Sequence, residues 1–148
     1  MDFKIRKLEK KDLTNGLLET LSNLFPVVLT PAKAERIFDE ISANPAYHIF
    51  VAEHEDNIVG AITLLVERKF ILQGATFGYL EDLAVHKDFE GRALGKLLID
   101  AAITEARRQD CRVVRLDCND SVARLYEACG FHKKVTVNRM QINLAPDL

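Results

Sequence analysis

"FEGRALGKLLIDAA", Phe89 to Ala102, sets two glycines four residues apart, with an arginine between them and a lysine behind, at the head of a leucine-rich run. Leu94, Leu97, Leu98, Ala101 and Ala102 fall on one helical face, whereas Lys96, Asp100, Arg107 and Arg108 lie largely off it. The spacing therefore predicts an amphipathic helix from about Arg92 to about Asp110. The first amides of a helix lack internal partners and carry the positive end of its dipole, so a glycine-lined start suits phosphate oxygens. A P-loop needs four residues between its glycines and a Ser or Thr after the lysine; here three intervene and Leu97 follows. The dinucleotide pattern fails as well, because only Gly91 and Gly95 are present. Spacing alone leaves two readings open, a pyrophosphate cradle and an ordinary helix start whose glycines make a turn.

The rest of the chain limits what such a helix can belong to. Its 148 residues suit a single domain, residues 1–148, and the composition is that of a globular protein, 48% hydrophobic and 28% charged. A net charge of -2 argues against a general grip on nucleic acid, which rests on surplus lysine and arginine. The start, "MDFKIRKLEK", has no apolar signal core, and the longest apolar run, "VGAITLLV", is far short of a membrane span. A cytoplasmic protein without a membrane partner is expected. Cys111, Cys118 and Cys129 form no CxxC pair and read as buried core thiols. The histidines at 48, 54, 86 and 132 fall at no metal-ligand spacing, so structural or solvated roles and no metal are expected.

Outward from the helix, the pattern is mixed. "FKIRKL" alternates as a strand, after which Asp12 can cap a helix carrying Leu13, Leu17, Leu21, Leu24 and Phe25. Thr30 and Pro31 start a second helix that ends near Asn44 and Pro45. "YHIFVAEHEDNIVGAITLLVERKF" reads as two strands around a turn at Asp56 and Asn57, and "ATFGYLEDLAV" as a further strand. Beyond the opening helix come a strand at "VVRLDC", a helix at "SVARLYEACG" capped by Asn119 or Asp120 and ended by Gly130, and a closing strand at "KVTVNRMQINL". The order β α α β β β α β α β makes a three-layer α/β domain with a mixed sheet.

These residues carry a resemblance. The chain is similar to the GNAT superfamily of N-acetyltransferases, whose helix-start signature Q/R-x-x-G-x-G/A corresponds to Glu90-Gly91-Arg92-Ala93-Leu94-Gly95. A second hallmark follows in "NDSVARLYEACGF", with Asn119, Ala123, Leu125, Tyr126, Gly130 and Phe131 as its elements. Within the superfamily the nearest likeness is to glucosamine 6-phosphate N-acetyltransferases, in the stretches "IRKLEKKDLTNGLLETLSNL", "VERKFI", "GYLEDLAV", "GKLLID" and "LDC" before "LYEACGF". The resemblance implies a GNAT fold with helices on both faces and a central sheet splayed between its fourth and fifth strands. Acetyl-CoA would lie in that opening, with its pyrophosphate on the cradle of Gly91, Arg92, Ala93, Leu94, Gly95 and Lys96. It also implies a homodimer with exchange of the C-terminal strand region.

Amide formation from a thioester needs a neutral amine, a polarised carbonyl and a stabilised leaving thiolate. Backbone amides of Leu83, Ala84 and Val85 on a splayed strand would hold the pantetheine arm and the thioester oxygen. Tyr126 stands where the family places the acid that protonates the thiolate, and Asn119 belongs to the same cofactor segment. Glu81, Asp82 and Asp117 form a carboxylate set on the strands flanking the opening, able to hold the acceptor's ammonium and relay its proton. Direct attack by the amine is the expected route, and the resemblance adds Lys69 and Phe70 on the sugar-phosphate side.

Three departures bear on the acceptor. Phe25 stands where the family offers a threonine to the phosphate, Val113 where a lysine is expected, and Asn143 where an arginine is. Arg112, Arg115 or Arg139 would have to supply those charges. A polyamine, arylalkylamine or peptide amine is therefore an alternative acceptor, and a non-catalytic acyl-CoA sensor on the same fold is the reading from another class. In the cradle, Ala93 replaces a glycine at expected small cost. Glu90 replaces glutamine or arginine and is expected to turn from the anion toward Arg92 or Lys87.

Overall fold

A computed structural model describes residues 1–144. Five strands form one sheet in chain order: β1 Lys4–Lys7, β2 Tyr47–His54, β3 Asn57–Arg68, β4 Thr76–Val85 and β5 Cys111–Arg115. The first four pair antiparallel and β5 joins β4 in parallel. Helices α1 Leu17–Ser22 and α2 Pro31–Ser42 lie between β1 and β2, α3 Leu94–Arg108 crosses from β4 to β5, and α4 Asp120–Ala128 follows. The mixed sheet with helices on both faces is the expected fold. The β4–β5 ladder runs only from Thr76 with Cys111 to Tyr79 with Arg115, so β4 continues to Val85 without a partner on that side and the sheet opens there.

Alternation along the strands sorts side chains onto two faces. On one, Ala52, Ile62, Leu64 and Leu80 meet Leu94, Leu98, Ile99 and Ala102 of α3, all at most 4% exposed. Gly60 makes this contact possible, since a Cβ there would stand 2.8 Å from Leu98 Cδ1. The other face carries Leu17, Val51, Ile58 and Ala61, with Leu8, Leu13 and Leu21 against them. Here α1 touches β3 and β4, while α2 packs chiefly on the 3-10 turn Lys10–Leu13 rather than on the strands. Thr30 caps α2 as expected, accepting from the Lys33 amide at 3.3 Å.

Several elements differ from the sequence reading. The helix expected from Asp12 to Phe25 is broken at Gly16, whose φ of 95° starts α1 afresh, and Leu24 and Phe25 are exposed. Asp12 is fully buried and takes both terminal nitrogens of Arg6 at 2.8 Å, with Glu53 on the same guanidinium. A cap position became one partner of a buried ion pair. In α3, Leu97 is 42% exposed and Ile99 is buried in its place, because the strands beneath the helix meet a stripe slightly rotated from the expected one. The β2–β3 turn is centred on Glu55 and Asp56, both left-handed, one residue before the expected pair.

"KVTVNRMQINL" forms no strand. Val135, Val137, Met140, Ile142 and Leu144 are each at least 70% exposed, since the segment does not pair with the free edge of β5 and no described element covers its apolar side chains. Cys118 is exposed, against the expected core thiol, whereas Cys111 and Cys129 are half-buried. Gly130 ends α4 with φ of 95° as expected, but Asn119 begins it without a side-chain cap.

Candidate active site

One irregularity shapes β4 where it runs along the opening. Thr63 pairs with Glu81 and Ala61 with Ala84, so Ile62 alone faces both Asp82 and Leu83, and Asp82 is driven to φ of 52°. An extra residue in one strand places two successive side chains on the same side of the sheet. Glu81 and Asp82 accordingly both face the α1–α2 side, where they line one end of a cavity. Desolvation and the like charges of Asp82 and Asp117 raise the Glu81 pKa above the ordinary carboxylate range, with Arg139 opposing them. Across the opening Asp117 lies 3.8 Å from Arg139.

Tyr126 comes to the same place from α4. Its ring meets Phe131 edge-on at 6.0 Å, and burial, with lesser contributions from Cys118, Cys129 and Glu81, raises the phenol pKa. A tyrosine so placed stays protonated at neutral pH and remains a proton donor. Lys69 extends over the rings of Phe77 and Tyr79, at 5.7 and 5.6 Å, while holding Glu67 at 2.6 Å; Arg115 stacks on Phe77 at 4.7 Å. Cations thus sit along the strand from the carboxylates. Phe70 is fully exposed on the loop between β3 and β4, and the structure does not bring it to this group.

At the other end of the opening, the start of α3 offers the amides of Leu94, Gly95 and Lys96 with no side-chain cap. Gly91 has φ of 72° and open space around it, as a turn that brings backbone to a ligand requires. Gly95 serves packing, since a Cβ would press Leu125 of α4 at 3.2 Å. Ala93 has φ of 58°, so its departure from glycine costs more than expected, about 1 kcal/mol for a left-handed alanine. Glu90 does turn aside, but toward neither expected cation: Asn23 donates to it at 2.9 Å and to the Val85 carbonyl at 2.7 Å. Arg92 stacks on Phe89 at 5.7 Å and Lys96 bonds Asp100 at 2.6 Å, so the amides form the inner surface of the cradle.

The sequence profile of the acetyltransferase (GNAT) family matches residues 14–131 of this architecture. The chain belongs to this family. It is 34% identical over 132 residues to a probable glucosamine 6-phosphate N-acetyltransferase of Drosophila melanogaster, an alignment that takes in 87% of this chain and 60% of that longer one. With the glucosamine 6-phosphate N-acetyltransferase of Arabidopsis thaliana identity is 31% over 136 residues, covering 89% of this chain and 91% of the relative. The crystal structure of a glucosamine-6-phosphate N-acetyltransferase from Arabidopsis thaliana superposes with a TM-score of 0.90, at 31% identity, over 98% of this chain and 100% of that one.

In this GNAT acetyltransferase the sequence-expected residues divide by location. Glu81, Asp82, Asp117 and Tyr126 converge on the opening, Leu83, Ala84 and Val85 form the bulged strand beside it, and residues 91–96 make the helix start. Lys69 stands beside them and Phe70 apart. Asn23 was missed, and no local signal marks it, since its partners are 62 and 67 residues away. Among the described residues no group of three or more His, Cys, Asp or Glu could hold a metal ion.

Proposed function

We propose that this acetyltransferase moves the acetyl group of acetyl-CoA onto the amine of an amino-sugar phosphate, glucosamine 6-phosphate. One observation carries the reading: the carboxylates of Glu81, Asp82 and Asp117 share one platform with Arg139, Lys69 and Arg115, so an ammonium and a phosphate on one small molecule find opposite charges side by side. The glucosamine 6-phosphate acetyltransferases to which the chain is similar support the choice. Arg139 and Arg115 supply charge where Val113 and Asn143 do not.

In this reading the amides of Leu94, Gly95 and Lys96 hold the pyrophosphate of acetyl-CoA, and the unpaired side of β4 from Leu83 to Val85 holds the pantetheine arm and polarises the thioester oxygen. Asn119, at the start of α4, borders the same arm. Asn23, bound to Glu90 and the Val85 carbonyl, keeps a carboxylate off the phosphates. Glu81, with its raised pKa, and Asp82 anchor the amine and take its proton through water, leaving nitrogen's lone pair free to attack directly. Tyr126 gives its proton to the departing thiolate. The chain works as a homodimer, a reading supported by the exposed apolar side chains from Val135 to Leu144 and the free edge of β5. Gel filtration with light scattering tests it, a monomer mass being the contrary result.

Thiol release from acetyl-CoA measures the reaction. It should rise saturably with glucosamine 6-phosphate, and Tyr126→Phe should lower kcat by roughly 100-fold with little change in the acetyl-CoA KM. The rate should fall as pH drops through the raised pKa of Glu81 and Glu81→Gln should abolish that limb. Binding of acetyl-CoA without turnover would favour the sensor.

A further inference from the structure

We propose that the cavity beneath α2 receives the apolar body of a second class of acceptor, primary amines bearing an alkyl or aryl group, whose nitrogen is presented to Glu81 and Asp82. The inference rests on the acetyltransferase reading and extends its acceptor range. The cavity measures about 360 Å³, within the range of small-molecule sites, and is walled by side chains such as Leu17, Leu21, Ile37, Phe38, Ile41 and Leu65. Among the described residues Glu81 and Asp82 are the only charged ones that line it, and no lysine or arginine does. A sugar phosphate would find there neither a cation for its dianion nor partners for its hydroxyls, Thr63 and Tyr47 being the only other side chains with polar atoms. An aryl or alkyl chain buries its surface against these walls while its amine meets two carboxylates.

The space exists for a structural reason. Helix α2 packs chiefly on the 3-10 turn and is tied there by Lys10 to Asp39 at 2.7 Å, so it stands off β2 and β3 instead of closing onto them. The bulge in β4 then turns both carboxylates toward this side rather than one to each face. The step balances without a further reagent. The ammonium first loses one proton through Glu81 to water, the freed nitrogen lone pair bonds the thioester carbonyl carbon, the carbon–sulfur bond breaks with its electron pair on sulfur, nitrogen loses its second proton to water by the same path, and the thiolate takes one from Tyr126, which solvent reprotonates. Products are the N-acetylated amine and the free thiol.

2-Phenylethylamine is the probe, with thiol release at saturating acetyl-CoA as readout and glucosamine 6-phosphate assayed in parallel. Saturable turnover of phenylethylamine is expected, with kcat/KM falling at least about tenfold in Ala34→Phe, which fills the cavity from α2, while the sugar's kcat/KM stays within about twofold. Should Ala34→Phe fail to fold, Ile41→Trp fills the same space from a half-buried position. No turnover of phenylethylamine, or turnover that the folded filler leaves unchanged, overturns the inference. Absence of sugar turnover overturns the sugar reading alone.

Discussion

The two faces of the sheet are stabilised by different means. Under α3, strands and helix interlock closely, down to a glycine that admits a leucine methyl. Under α1 and α2 the apolar layer is thinner, a cavity of about 360 Å³ remains, and polar devices fix the chain: Arg6 holding Asp12 and Glu53, and Thr20 donating to the Ile58 carbonyl at 2.7 Å. Tight packing suits the face that must keep β4 and the start of α3 in register for a large cofactor. Room suits the face on which acceptors are proposed to bind.

The contrast can be broken where each face depends on one device. Arg6→Leu leaves the Asp12 carboxylate buried and unpaired, and chemical denaturation should read a loss of about 3–5 kcal/mol. The same carboxylate loses its stabilising effect in acid. Burial would raise its pKa, but the Arg6 guanidinium and the Glu9 amide hold it below its ordinary value, so its contribution is present above about pH 4 and disappears as pH falls through the lowered pKa.

On the other side, Leu98→Ala opens a cavity in a fully buried site and should cost about 2–5 kcal/mol. Ile41→Ala, beside a space that already exists, should cost roughly half that or less. Equal losses would contradict the difference in packing. Ala93→Gly relieves a left-handed alanine at the head of α3 and should raise stability by up to about 1 kcal/mol, the gain reduced by the freer unfolded chain.

The smallest effect concerns His48, half-buried on the α3 side, with Nδ1 3.3 Å from Glu105 Oε1 and Lys7 and Arg108 also facing that carboxylate. Burial lowers the imidazole pKa despite Glu105, and Nε2 has no hydrogen-bond partner among the described residues. The folded protein therefore holds His48 neutral while the unfolded chain protonates near pH 6.5, and stability should decline as pH falls below that value. A His48→Gln variant should lack this decline in thermal melts taken between about pH 7 and 5.

Much of the fold was legible because its signals are local. Thr30 with Pro31, the hydrophobic period of α3 and the left-handed Gly130 each act within a few residues, and the structure keeps all three. The helix phase was misjudged at Leu97 because burial depends on which strands lie beneath, which periodicity does not contain. Asp12 read as a cap for the same reason, since Glu53 holds the Arg6 guanidinium against it only once β1 and β2 have paired. In the candidate site, the residue types were readable from motifs, whereas the bulge that puts Glu81 and Asp82 on one face, the Asn23 bond to Glu90 and the cavity all arise from tertiary contact. The closing segment from Lys134 to Leu144 carries strand periodicity, but the described chain leaves it unpaired while the outer edge of β5 stays free, and periodicity names no partner strand.

The central claim, direct acetyl transfer from acetyl-CoA to the amino group of glucosamine 6-phosphate, is tested most directly by mass spectrometry of quenched reactions. The account predicts one N-acetylated sugar phosphate for each CoA thiol released, with the protein itself unmodified at every time point. Thiol release that leaves the acetyl group on the protein, or leaves the sugar unchanged, would contradict it.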